Sequence, residues 1–566
     1  MDPNAAASRS ESAVSLPTRT HYRAPRENEQ LLCQPAGRQS PRLIALQHEK
    51  FRISPRLFWG ETLASWRASA RRECLDQAIC FTATIDDSPC IPLDASLPLI
   101  ATGHQPELFH PGVWVKNVWA ARQAEWTGGI ALNLIVDSDT VKTRSVPIPL
   151  QGNGQLRETR IEIDDWPIGI PWEETRVVHA DKFRGFADRL LRTMAPLREA
   201  PLLVEYWQAV CGVWEQNGLL TRALVAGRRR IEHKLGLHTL ELPVSLLSQT
   251  PSFLRFVTKL AGDAARFRSV YNSVLQRYRR LYQLKSPTHP IPDLACEGEW
   301  IELPFWIWDD KNPRRRGVFT RSKADSLEFS DREGLHWRLS HAELAGHNVP
   351  RLAEWLNQGI RLRPRALITT LYFRLFVSDW FIHGIGGAKY DEITDGILQD
   401  YFGVEPPCYQ VATATLWLPL ADAPRRPGRT AREFRQALRR AQENPELLLP
   451  RGEARLEQLL IRKHQLIEAW RERPRHGLTQ RQRRERRQEN LRQHRELQEV
   501  REELTRLAGD AVHSLREELY NAEKVEADWK VAAFREYPFV CYPESSLRRL
   551  IQQVSRERPE DQIHDQ

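Results

Sequence analysis

The chain has 566 residues, 41% of them hydrophobic and 27% charged, enough to bury a large core in more than one domain. No apolar run approaches the roughly 18–20 residues that span a bilayer, and the polar start Met-Asp-Pro-Asn-Ala has no apolar segment of a secretory signal, so a cytoplasmic protein without a membrane partner is expected. The eight cysteines include no Cys-x-x-Cys pair, which argues against a disulfide scaffold or a metal site and for reduced structural thiols, while a net charge of +9 permits an anionic ligand or nucleic acid without requiring either.

Residues 1–45 are polar, contain Pro and Arg and show no sustained period, so they read as a disordered extension before an ordered core over 46–425. The run Leu97-Pro98-Leu99-Ile100-Ala101-Thr102 predicts a strand ending in the loop Gly103-His104-Gln105-Pro106. Val115, Val118, Trp119 and Ala121 share one face of a helix over 113–126, which Gly128-Gly129 stops. The β-rich run 130–136 follows and ends in Asp137-Ser138-Asp139, completing a βαβ unit with parallel strands and a right-handed crossover. An insertion over residues 150–360 is expected to hold helices at 181–237 and 253–284, then a hairpin of 299–307 and 316–320 turning at Asp309-Asp310-Lys311-Asn312-Pro313. Residues 362–418 are expected to supply the second half of the sheet, with Trp380-Phe381-Ile382-His383 leading into Gly384-Ile385-Gly386-Gly387 and a helix over 390–402.

Residues 426–535 read as a helical arm. Leu456, Leu459, Leu466 and Trp470 recur at threes and fours, as do Leu497, Val500, Leu504, Leu507, Ala511 and Leu515. A break at Pro474 and Gly477 turns the two stretches into an antiparallel coiled-coil hairpin, long enough to pair two copies as a homodimer. Arginines over 481–506 interleave with Glu485, Glu489, Glu496, Glu499, Glu502 and Glu503, a mixture that reads as a solvated coiled-coil flank. The tail, 536–566, carries Tyr537-Pro538-Phe539-Val540-Cys541-Tyr542-Pro543 and is apolar enough to dock on the core.

Three loops carry the residue types of a site. After the first strand, Gly103 allows close backbone approach and His104 and His110 can move a proton, with Lys116 and Asn117 a turn into the next helix. The same segment also reads as a tight turn with capping residues. Asp137 and Asp139 can hold Mg²⁺, bind an amine or hydroxyl, or cap a turn. The glycines 384, 386 and 387 precede a helix and can cradle an anion, with Lys389 to pair it and Asp391 or Glu392 to meet an amine. They equally describe a turn with a charged helix start. Arg361, Arg363 and Arg365 suit a carboxylate or phosphate, or a solvated surface.

The order of these pieces resembles the cysteine-adding enzymes of bacillithiol biosynthesis. Thr102-Gly103-His104-Gln105-Pro106 resembles that family's Thr-Gly-Gln-Gln motif, followed in both by a Lys-bearing helix. The strand ending in Asp137-Ser138-Asp139-Thr140 resembles one ending in Glu-Asp-His-Asp, and Gly386-Gly387-Ala388-Lys389-Tyr390-Asp391-Glu392 resembles a Gly-Gly-Pro-Gly-Glu-type loop. The likeness covers most of residues 97–530 and includes the helical arm. It implies an α/β fold: a Rossmann-like parallel sheet with helical insertions and a C-terminal antiparallel helical coiled coil, similar in shape to class I aminoacyl-tRNA synthetases. The implied activity is a ligase that joins cysteine, or a related amino acid, to the amino group of glucosaminyl-malate or a similar sugar-malate acceptor, with ATP or another nucleotide as the expected cofactor. It implies His104, His110 and Asp137 as catalytic residues, and Thr102, Gly103, Gln105, Lys116, Asn117, Gly384, Gly386 and Gly387 around the cofactor. Asp139, Lys389, Tyr390, Asp391 and Glu392 are implied around the substrates. His104 in place of Gln, the changed acidic run, and Lys389 in place of the Pro-Gly pair all fall at the expected pocket, so the substrate is less determined than the fold. Rival readings are a non-catalytic coiled-coil scaffold, a nucleic-acid binder, or a class I aminoacyl-tRNA synthetase, whose His-x-Gly-His and Lys-Met-Ser-Lys-Ser motifs are not present.

Overall fold

The computed structural model describes residues 22–85, 93–286, 288–345, 350–450, 452–471 and 479–559. The chain is a mixed α/β protein. Its central sheet has six strands: β1 (Gln30–Gln34), β2 (Leu99–His104), β3 (Ile130–Ile135), β4 (Leu240–Pro243), β5 (Trp380–His383) and β6 (Tyr409–Thr415). Their spatial order is β1-β6-β5-β2-β3-β4. Strands β2 to β6 are parallel, and only β1 runs antiparallel, on the edge beside β6. From β2 through β4 the sheet grows in one direction; β5 then lands on the other side of β2. The order therefore reverses between β2 and β5, the place in a parallel sheet where ligands commonly bind.

Parallel strands covered on both faces read as continuous apolar runs, and all six residues of β3 are buried. Side chains alternate between two layers, Leu99, Ala101, Leu132 and Leu134 in one and Ile100, Ala131, Trp380 and Ile382 in the other. Helices α1 (Leu63–Ala83), α2 (Pro111–Thr127), α3 (Leu220–Lys234) and α4 (Ile385–Asp400) cover the sheet, α1 and α4 in the first layer, α2 and α3 in the second. At the sheet's amino edge, Asp379 just before β5 meets Arg67 at 2.6 Å, Arg71 at 2.9 Å and His48 at 3.1 Å, and accepts from the Leu99 amide at 2.9 Å. Burial opposes its ionisation, but Arg67, His48 and Arg71 hold its carboxyl well below the usual range.

Three expectations are corrected. Residues 22–45 are not a disordered extension: β1 pairs with β6 along its whole length, and the helix Ser40–Arg52 buries Ile44 and Phe51. A five-residue edge strand has no period of its own to read, and its partner lies far along the chain. Residues 1–21 lie outside the described residues. Secondly, Ile360–Pro364 does not join the parallel sheet; it is the edge strand of a separate antiparallel sheet, beside the hairpin of Trp300–Asp309 and Asn312–Ser322, with Ser326–Ser330 and His336–Ser340 beyond. Its alternation of Ile360, Leu362 and Pro364 with Arg361 and Arg363 suits a strand with one polar face. Finally, the long helix of the arm is not continuous through residue 515: it runs over Gln480–Leu507 and ends at Ala508, and the next helix, Gly509–Ala532, packs beside Ala431–Glu443. The Pro474–Gly477 break lies outside the described residues.

The helices Ala454–Arg471 and Gln480–Leu507 share a small apolar cluster of Leu456, Leu459, Leu466, Val500 and Leu504. The tail packs on the second layer, where Phe539 stacks on Trp114 with ring centroids 5.5 Å apart and Tyr542 donates to Leu416 O at 2.7 Å. Among the described residues no helix is long and apolar enough to cross a membrane.

Candidate functional site at the carboxyl edge of the parallel sheet

The carboxyl ends of β2, β3 and β5 meet at one edge, and two side chains tie them together. Lys116, in the second turn of α2, donates to Gly103 O at 2.7 Å, and its stem passes 3.9 Å from where a Cβ on Gly384 would stand. Gln105 donates to Asp139 at 2.9 Å. Burial lowers the Lys116 ammonium to about 7. Helix α4 begins at Gly384, and the first turn is open: Gly386 and Gly387 are exposed, with open space where a Cβ on Gly386 would point.

Behind this edge lies a buried polar network. His104 Nε2 is 3.2 Å from Asn117 Oδ1, and Asn117 donates to Glu232 at 2.8 Å. Arg228 bridges Glu232 and Glu241, and Asn133 donates to Glu241 at 3.1 Å. Burial, then the Lys116 and Arg228 cations, push the His104 imidazole well below its usual value, so the ring is neutral and anchors the network through a single N–H. His110 caps α2, its Nδ1 accepting from the Gly112 amide at 3.0 Å. Burial, with Arg535 and Lys116 nearby, lowers it to about 3. Both ring nitrogens of His104 lie against carbonyl oxygens, Nε2 against Asn117 and Nδ1 3.1 Å from Gln105 O, and His110 Nδ1 is taken by its cap.

An opening lies between the ends of β3 and β4 and the strand Ile360–Pro364. It is a cleft of about 710 Å³ lined by Asp137, Glu173, Arg222, Ser245, Gln249, Arg361 and Arg363 among others. Asp137 accepts hydrogen bonds from the Ser245 amide at 3.0 Å and from the Ser245 hydroxyl. Burial, and next the Glu173 carboxylate, push its carboxyl up to about 7 against the opposing Ser245 and Arg363. Arg363 binds Glu173 through two nitrogens, at 2.9 and 2.7 Å. Arg361 meets Glu174 at 3.2 Å. Arg222 differs: its Nε is buried without a hydrogen-bond partner, and its guanidinium lies 5.8 Å over the Phe81 ring with no carboxylate in ion-pair reach among the described residues. The cleft thus joins a carboxyl poised near neutrality to an uncommitted cation, a pairing suited to proton transfer on an anionic ligand.

The remaining expected residues have definite places. Thr102 donates to Ile382 O at 2.9 Å and stitches β2 to β5. A Cβ on Gly103 would stand 3.3 Å from Leu134, so packing against β3 favours glycine there. Although burial opposes it, Gln105, Lys142 and Arg315 hold Asp139 below its usual value, and Arg315 meets it at 3.1 Å. Lys389 and Tyr390 are exposed outside the cleft. Asp391 is committed to Arg374 and, at 2.9 Å, to His383 Nε2. Glu392 accepts from Tyr282 at 2.8 Å. Both acids thus have partners within the protein, Asp391 a guanidinium and an imidazole and Glu392 a tyrosine hydroxyl. Arg365 pairs with Glu302, so the whole basic run is spoken for by protein carboxylates. Glu173, Arg222 and Ser245 escape the sequence reading, because nothing local marks them; they reach the cleft only through the insertion. Among the described residues no group of three or more His, Cys, Asp or Glu is placed to hold a metal.

Comparison with protein-family models and with curated proteins finds no match.

Proposed function

We propose that the protein is a Rossmann-like enzyme of ligase type that joins cysteine, or a related amino acid, through a carbon–nitrogen bond to an amino-sugar conjugate such as glucosaminyl-malate, in the cytoplasmic synthesis of a low-molecular-weight thiol. The observation that carries this reading is Asp137: a buried carboxyl shifted to about 7, in a polar cleft with the uncommitted Arg222, at the carboxyl edge of a parallel sheet. Amide formation requires an amine that has lost its proton before it attacks an activated carboxyl group, and a carboxylate titrating near neutrality accepts that proton readily. Arg222 supplies the charge to hold an acidic acceptor. The strand order, reversing between β2 and β5, and the open start of α4 fit a nucleotide whose phosphates would rest on the Gly384–Gly387 amides near Lys116. Bound there, the nucleotide would supply carboxyl activation. The helical arm is read as an antiparallel coiled coil.

The test is a thermal-shift panel of ATP, ADP, cysteine and sugar-malate conjugates on the parent and on Asp137→Asn and Arg222→Gln, followed by thiol metabolites in cells with and without the protein. Stabilisation by an acidic acceptor that weakens in Arg222→Gln, with product lost in Asp137→Asn, supports the reading. No stabilisation by any compound and an unchanged thiol profile overturn it.

A further inference from the structure

The arginines of the arm interleave with glutamates in sequence, but the helix sorts them. Residues 480–495 hold seven arginines against two glutamates. At 3.6 residues per turn, Val500 and Leu504, buried against the neighbouring helix, continue through Leu497, Gln493, Asn490 and Arg486, all partly buried. This is the seam. Glu485, Glu489, Glu496 and Glu503 fall on one flank of it, and two of them are neutralised across the seam, Glu496 by Arg462 and Glu503 by Arg455. Arg484, Arg487 and Arg495 fall together on the opposite, outer face with Leu491; all four are exposed, and none of the three arginines has an acidic partner among the described residues. The stripe runs for about 16 Å at 1.5 Å per residue and ends where Glu499 and Glu502 take over the same face. The pairs Arg455–Glu503 and Arg462–Glu496 fix the helix Ala454–Arg471 antiparallel along the seam, so it leaves the outer face uncovered.

We infer that the outer face of this helix is a docking surface for the phosphodiester backbone of nucleic acid. Three guanidiniums on one face with no acidic partner among the described residues, with Glu496 and Glu503 turned to the seam flank and neutralised there, match a line of phosphates. The planar guanidinium suits phosphate better than a diffuse solvated charge would. This surface is separate from the cleft at Asp137, so either assignment can fail alone.

The test uses the full chain and fluorescence anisotropy with labelled RNA and DNA duplexes of equal length at 50 and 200 mM salt. Three phosphate contacts predict a log–log salt slope of about −2.7, so affinity for the preferred duplex falls about 40-fold between the two conditions. The triple variant Arg484→Gln/Arg487→Gln/Arg495→Gln binds about tenfold or more weakly at 50 mM salt and loses most of the salt slope, with unfolding temperature and small-molecule stabilisation unchanged. Binding of either duplex in this pattern supports the surface, and the tighter one identifies the source of the phosphates. The inference is overturned if the parent binds neither duplex at 50 mM salt, if the triple variant binds as the parent does, or if phosphatidylserine vesicles are bound and neither duplex competes with them.

Discussion

Asp137→Asn isolates the feature on which the cleft's chemistry rests. The folded protein keeps a proton on this carboxyl up to about pH 7, whereas an ordinary Asp, at 3.8 in the unfolded chain, has released it by pH 5. Where the unfolded state binds fewer protons than the folded state, stability falls as pH rises. Between pH 5 and pH 7 this single carboxyl therefore costs about two pH units at roughly 1.36 kcal/mol each, or about 3 kcal/mol, and the loss levels off once the folded form has also ionised. Asparagine does not titrate. The variant's stability relative to the parent should then climb by about 3 kcal/mol from pH 5 to pH 8, whatever constant offset comes from its altered bond to the Ser245 amide. Urea unfolding of both proteins at pH 5, 6, 7 and 8 reads this directly. Parallel profiles would refute the reasoning, because they would mean that Asp137 titrates as an ordinary surface acid.

Arg222→Gln should unfold within about 1 kcal/mol of the parent, since the residue has only a distant ring contact to lose; its stabilisation by acidic ligands should fall, as isothermal calorimetry would read. Phe539→Ala removes a buried ring stacked on Trp114 and should cost about 3–5 kcal/mol, with limited proteolysis then cutting the tail near residue 536. Asp379→Ala leaves Arg67 and Arg71 buried without their carboxylate and should cost about 3–5 kcal/mol in urea unfolding. A cost below about 1 kcal/mol would mean that water reaches both guanidiniums.

Much of the sheet was legible because its strands are local objects. The runs at 99–104 and 130–135 are apolar throughout since both faces are covered, and α2 is bounded by His110, Pro111 and Gly128, which cap, start and stop a helix by their own stereochemistry. The hairpin of Ser145–Gly152 and Gln155–Glu162 was equally available: Asn153 and Gly154 both adopt positive φ, at 53° and 68°, the turn that an Asn-Gly pair favours. The site was legible only in part. Asp137 announces itself at a strand end, but His104 looks like a catalytic base until Asn117 and Glu232 are seen to claim it.

Charge divides the two kinds of knowledge. The sequence by itself determined the strands β2, β3 and β5, the ends of α2, the apolar tail and the helical character of the arm, because backbone preference and the spacing of apolar side chains act between near neighbours. Only the tertiary structure decided which charges remain available. Arg361, Arg363 and Arg365 looked free and are held by Glu174, Glu173 and Glu302, while Arg222, Arg484, Arg487 and Arg495 looked ordinary and have no acidic partner among the described residues. An ion pair joins side chains from distant segments, and no periodicity along the chain records which cation a given carboxylate will meet.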